Sequence, residues 1–162
     1  MNFHVGDPVM HWMYGFGEIL RLEERAIAGV TTLYYAVQIR DLTVWVPADS
    51  NLESRLRHPT PQEKFKRLIT ILSLPAEPLP DDRNERKLRL LEMLNNGRPE
   101  SLCQVIRDLV GYQRVRALND MDKSLLKRSE SALLGEWGFV LSLTTAQAEH
   151  EMHHLLRVPV AA

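Results

Sequence analysis

His150-Glu151-Met152-His153-His154 reproduces the H-E-x-x-H spacing. On a helix, His150 and His154 stand four residues apart on one face, and Glu151 can serve as a general base beside a zinc-bound water. A catalytic zinc also needs a third protein ligand and an open position. The zinc-protease patterns place that ligand downstream, yet only eight residues follow His154, none of them His, Asp, Glu or Cys. Met152, Leu155 and Leu156 give the same segment a plain packing stripe. No Gly-rich phosphate loop, Ser-His-Asp set or Cys-His pair accompanies it. The expectation is therefore no catalytic residue, no metal and no cofactor, with a zinc hydrolase as the least favoured reading.

Binding chemistry is the better prospect. In Asp41-Leu42-Thr43-Val44-Trp45-Val46-Pro47, Leu42, Val44 and Val46 alternate with Thr43 and Trp45, the period of a strand with two unlike faces. Pro47 cannot donate to a ladder and ends it. Leu42, Val44 and Val46 suit a small core, which turns Trp45 outward as a contact residue. The alternative is that Trp45 packs under a linker or a following domain.

The elements around that strand come in two blocks. Up to residue 53 the pattern is strands: 9–13, then from Phe16 to about Arg25, then 30–39, with turns at Tyr14-Gly15-Phe16-Gly17, Ala28-Gly29 and Arg40-Asp41. Short strands at roughly ten-residue spacing predict a small antiparallel barrel. Residues 54–59 read as a linker. Helices follow: Thr60 as N-cap with Pro61 and Glu63, then a break at the prolines of 74–80, then starts at Asp82, Pro99, Asn119 and Thr144. The fold class is α+β, a small barrel over 1–53 and a domain of about five helices over 60–162.

Formal net charge is −1, so no overall charge recruits nucleic acid. Residues 64–98 carry eight Lys/Arg against five Asp/Glu, and residues 107–128 six against three. The lone Cys103 allows no intrachain disulfide and suits a reducing compartment. No apolar run reaches membrane-spanning length, and Met1-Asn2-Phe3-His4 does not read as a signal peptide. A cytoplasmic protein without a membrane partner is expected.

The ordered series Phe3-His4-Val5-Gly6-Asp7-Pro8-Val9, Gly15-Phe16-Gly17, Asp41 to Pro47, Leu91-Glu92-Met93-Leu94, Val105-Ile106-Arg107-Asp108-Leu109, Asp122-Lys123-Ser124-Leu125-Leu126 and Leu134-Gly135-Glu136 resembles the CarD/CdnL family of bacterial transcription regulators. The N-terminal part also resembles the polymerase-interacting domain of transcription-repair coupling factor. The resemblance implies a Tudor-like barrel that binds the RNA polymerase β subunit, here through Arg25, Thr43, Trp45 and Pro47. It also implies a helical domain that contacts promoter DNA and stabilises the open complex, with the protein nucleoid-associated through the polymerase.

Two departures stand out. Relatives often carry a basic residue at the position of Trp45. They also carry a tryptophan early in the second C-terminal helix, which wedges into the minor groove; here that position falls on Arg83. Arg83, Arg86 and Lys87 are accordingly the candidate DNA residues, and the contact they imply is weak and dominated by the phosphate backbone. A family adaptor that has lost the wedge and instead serves another regulatory protein is the alternative. A monomer is expected, with a strand-swapped dimer as the other option.

Overall fold

The computed structural model describes residues 3–157. Five strands, β1 (Pro8–His11), β2 (Gly15–Ile27), β3 (Val30–Ile39), β4 (Leu42–Pro47) and β5 (Leu56–Arg57), form one antiparallel sheet in the order β4-β3-β2-β1-β5. Antiparallel neighbours need only tight turns, which the sequence supplies at Ala28-Gly29 and Arg40-Asp41, where Ala28, Gly29 and Arg40 adopt positive φ. A bulge between Ile19 and Arg21 interrupts the β2–β3 register, and bulges sharpen strand twist. Phe3, Val9, Ile19, Tyr35, Val37, Ile39, Val46, Leu52 and Leu56 fill the concave core of this Tudor-like unit. β2 and β3 then run on together past that core as a two-stranded arm, exposed at Ile27 and Val30.

Sequence expectation and structure part company at three places here. Leu42 does not enter the core: it starts an edge strand beside the turn and is exposed, while Val46 is buried. Residues 54–59 are not a free connection, because α1 (Leu52–Arg55) leads into β5, which pairs with Met10 and His11 of β1. Thr60 is not a helix cap. α2 (Gln62–Leu68) starts with Pro61 at the cap position and no side-chain cap bond, because Thr60 is engaged elsewhere.

α2 tightens into a 3-10 turn over Ile69–Ser73, and the prolines of 74–80 prevent continuation. α3 (Arg83–Asn95) is capped by Asp82, whose carboxylate accepts the Glu85 N–H at 3.0 Å. α4 (Pro99–Gln113) opens on its proline. α5 (Asp120–Leu141) begins with a full capping box of Asn119 and Asp122, and Thr144 with Gln147 does the same for α6 (Thr145–Arg157). Phe65, Leu90, Ile106, Leu109, Leu125, Leu133, Trp137 and Met152 form the helical core, and Cys103 packs into it as a small apolar residue. Burial of the Cys103 thiol holds it protonated well above its ordinary range, so it has no reactive character.

Sheet and helices meet face to face. The alternation of β1 sends Val9 into the sheet core and Met10 into the helical core. Phe16 packs at a tilt against Phe139 of α5, with ring centroids 4.8 Å apart. His11, buried at this junction, accepts the N–H groups of Met13 and Tyr14 on Nδ1, each at 3.1 Å. Burial first, and the charge of Arg55 second, bring the imidazole pKa down to about 4, so the ring is neutral and free to accept. Backbones also approach closely: a Cβ on Gly97 would lie 2.7 Å from the Ser54 carbonyl oxygen, and one on Gly15 3.0 Å from the Ala132 Cα.

Candidate interaction surfaces

β4 is an edge strand, so among the described residues one row of its backbone N–H and C=O groups lacks a strand partner. Its outward face is set by register. Trp45 lies opposite Ala36, which pairs with Arg21; Pro47 lies opposite Tyr34, which pairs with Glu23; Thr43 lies opposite Gln38. Period-two alternation then places Thr43, Trp45, Pro47, Arg21, Glu23 and Arg25 on one side of the sheet. Trp45 is 38% exposed, so it is not buried under any following segment. Its indole Nε1 donates to Glu23 Oε2 at 3.0 Å, and the Arg25 guanidinium sits 4.7 Å from the ring centroid. Trp45's hydrogen bond, with the Arg21 and Arg25 charges behind it, holds the Glu23 carboxyl below its usual range. A flat aromatic surface is thus held in one orientation by a carboxylate and a guanidinium. Arg25 belongs to β2 itself, since the strand continues to Ile27. The four residues expected to act together, Arg25, Thr43, Trp45 and Pro47, share this face.

The helical candidates do not stay together. Arg83 opens α3 and Lys87 lies one turn on, both exposed. Arg86 is a correction: it is only 4% exposed and all three of its guanidinium nitrogens donate within the protein. Nε and Nη2 donate to Asp122 at 3.0 and 2.8 Å, and Nη1 donates to the Pro80 and Asp81 carbonyls at 3.1 and 3.0 Å and to the Tyr112 hydroxyl at 3.2 Å. The guanidinium lies 4.7 Å from the Tyr112 ring centroid, and Asp122 favours its charged form further. Buried among these partners, the guanidinium is not presented to a phosphate. Its position was readable in part: Arg86, Leu90 and Leu94 form an i, i+4, i+8 stripe that is buried throughout.

A second buried cluster joins the two halves. Glu136 is fully buried, and its carboxylate accepts Arg57 Nη1 at 2.7 Å and Nη2 at 2.9 Å, the Thr60 N–H at 2.8 Å and the Thr60 hydroxyl at 2.9 Å. The fork-to-carboxylate geometry is the strong form of such a bond. Sequence reasoning missed this role, although Ser129, Leu133 and Glu136 occupy successive positions of the buried stripe of α5, where an unpaired acid would be costly.

His150 and His154 are exposed on α6 and border a shallow hollow with Ile69, Glu151 and Leu155. Among the described residues, no three His, Cys, Asp or Glu side chains come together as a metal-ligand set. The described helices include none long and apolar enough to cross a membrane.

An edge strand carrying an ordered indole, on a Tudor-like sheet joined to a helical domain, defines a two-part protein. The chain belongs to the CarD-like family: the CarD-like/TRCF RID domain matches residues 3–58, and the CarD C-terminal domain matches residues 67–153. It is similar to the "Putative transcription factor YdeB" of Bacillus subtilis (strain 168), with 24% identity over 147 residues, covering 90% of this chain and 96% of that protein.

Proposed function

We propose that this protein is a non-enzymatic regulator of bacterial transcription that docks on the β subunit of RNA polymerase through the outer face and free edge of β4, and reaches promoter DNA through the exposed start of α3. The ordered Trp45 platform beside an unpaired strand edge carries the reading, because an extended partner segment can add to that edge while the indole supplies specificity. Membership of a family whose N-terminal part is shared with a polymerase-interacting domain supports the same partner. Thr43 and Pro47 flank Trp45 on the contact face and Arg25 braces it.

Trp45→Ala is expected to weaken binding to the isolated β subunit by about 2 kcal/mol or more, as central interface aromatics do. The melting midpoint should change little, since the side chain is not part of either core. Titration calorimetry alongside a thermal scan checks both. Unchanged affinity sinks the docking surface; a collapse of the midpoint makes Trp45 structural.

The DNA contact rests on Arg83 and Lys87, with Arg86 withdrawn into the core. Arginine enters a narrow minor groove readily but is a poor unstacking wedge, because its stem is thin and its head must stay paired. The contact is therefore expected to be salt-sensitive, with little base preference. Binding of the polymerase complex to forked promoter DNA across a salt series should lose up to about two units of slope when Arg83→Ala and Lys87→Ala are combined. Arg83→Trp should lengthen the open-complex lifetime. An arginine at the wedge position also favours a second reading, an adaptor that binds polymerase without DNA. A slope and lifetime insensitive to both changes would establish that reading.

A further inference from the structure

The turn between β1 and β2, the turn between β3 and β4, and α5 border an open surface hollow of about 270 Å³ lined by Met13, Tyr14, Arg40, Ser124, Lys127, Arg128 and Ser131. Ser124, Lys127, Arg128 and Ser131 fall at i, i+3, i+4 and i+7 on α5, a single stripe of donors. Arg40 enters from the sheet side. Its backbone has φ 55°, a conformation that glycine adopts most readily, yet the residue is an arginine that lines the hollow. His11 fixes the remaining wall by accepting the Met13 and Tyr14 N–H groups. The lining holds three cations and three hydroxyl-bearing side chains and no carboxylate. Asp41 and Glu130, the acids nearest in sequence, are not among the lining residues. None of Arg40, Lys127 and Arg128 forms an ion pair with a carboxylate among the described residues, whereas Arg55, Arg57, Arg86 and Arg107 all do.

We infer that this hollow is a binding site for the phosphate groups of a small phosphorylated ligand, a diphosphate or nucleoside diphosphate, and that it bridges the sheet and the helical domain. Guanidinium and ammonium donors around one hollow suit the oxygens of a multiply charged phosphate ester. The hollow is open to solvent, which suits a phosphate moiety held on the surface with the rest of the ligand left in solvent. The site is separate from the Trp45 surface and from Arg83, and it does not depend on either interaction.

The test is calorimetric titration of the full-length protein with inorganic pyrophosphate at physiological salt, then with a nucleoside 5′-diphosphate and with a short DNA duplex. Saturable one-to-one binding of pyrophosphate and of the nucleotide is expected. Arg40→Gly should weaken it about tenfold, and Lys127→Ala combined with Arg128→Ala more than that, as expected when charge-assisted bonds are removed. Arg40→Gly relieves the turn, so its unliganded melting midpoint should not fall, which separates lost binding from lost folding. Lys66→Ala, an exposed lysine of α2 outside the hollow, should leave the titrations unchanged. No saturation at millimolar pyrophosphate overturns the site, as does equal weakening by Lys66→Ala. If only the duplex binds, and the same variants weaken it, the phosphate belongs to nucleic acid and the small-ligand assignment fails.

Discussion

Replacing Glu136 with alanine is expected to cost about 3–5 kcal/mol of folding stability, the range for removing one partner of a buried pair. Arg57 keeps 16% side-chain exposure, but its fork faces the vacated site, and the Thr60 N–H and hydroxyl lose their acceptor with it. The penalty comes from donors left dry more than from the attraction lost. Adding Arg57→Leu should therefore recover part of the loss, because an apolar pair avoids the uncompensated charge. Glu136→Gln retains an acceptor oxygen and should fall between wild type and alanine. Denaturant unfolding at neutral pH measures all three. A loss below about 1 kcal/mol for alanine would place the cluster in the class of solvated surface pairs.

The second large effect concerns Arg86. Arg86→Ala should destabilise by a similar amount, about 3–5 kcal/mol, because Asp122 would be left charged, nearly fully buried and without its guanidinium. Asp122 also closes the α5 capping box, accepting the Asn119 N–H at 3.2 Å, and the broken pair should loosen the first turn of that helix. Arg86→Lys is not conservative: one ammonium cannot bridge a carboxylate, two carbonyls and a tyrosine hydroxyl in a planar fork. The readout is the melting midpoint, compared with Arg83→Ala, which should leave it near wild type. If Arg86→Ala leaves the midpoint intact and reduces DNA binding, the arginine is a surface contact after all.

The contrast between Arg83 and Arg86 shows what the sequence discloses. Caps, breaks and stripes are local patterns, and Asp82, Asn119 and Thr144 all begin helices as their types demand. The strand alternation around Trp45 likewise shows its outward face. Charge pairing is different, because Arg86 finds Asp122 thirty-six positions away and Arg57 finds Glu136 seventy-nine away. Neither partner is visible from a local window, and four cations on one helix look alike until the fold buries one. Thr60 was misread for the same reason: its motif for capping is local, and its real acceptor is remote. Leu42 failed on position, since the first residue of an edge strand has no neighbour to cover it. The expected partners came from the family resemblance, since no local pattern names them.

The glycines at the sheet–helix junction have a mechanical meaning. Gly97 packs against the Ser54 backbone, Gly15 against Ala132, and Gly135 would place a Cβ 3.1 Å from Phe16. Contacts this close leave little slack, so the joint is expected to resist sliding. Two surfaces on opposite sides of such a joint would keep a nearly constant spacing and angle. If each grips a different macromolecule, the protein acts as a gauge: it fits one distance between them and pulls against any other.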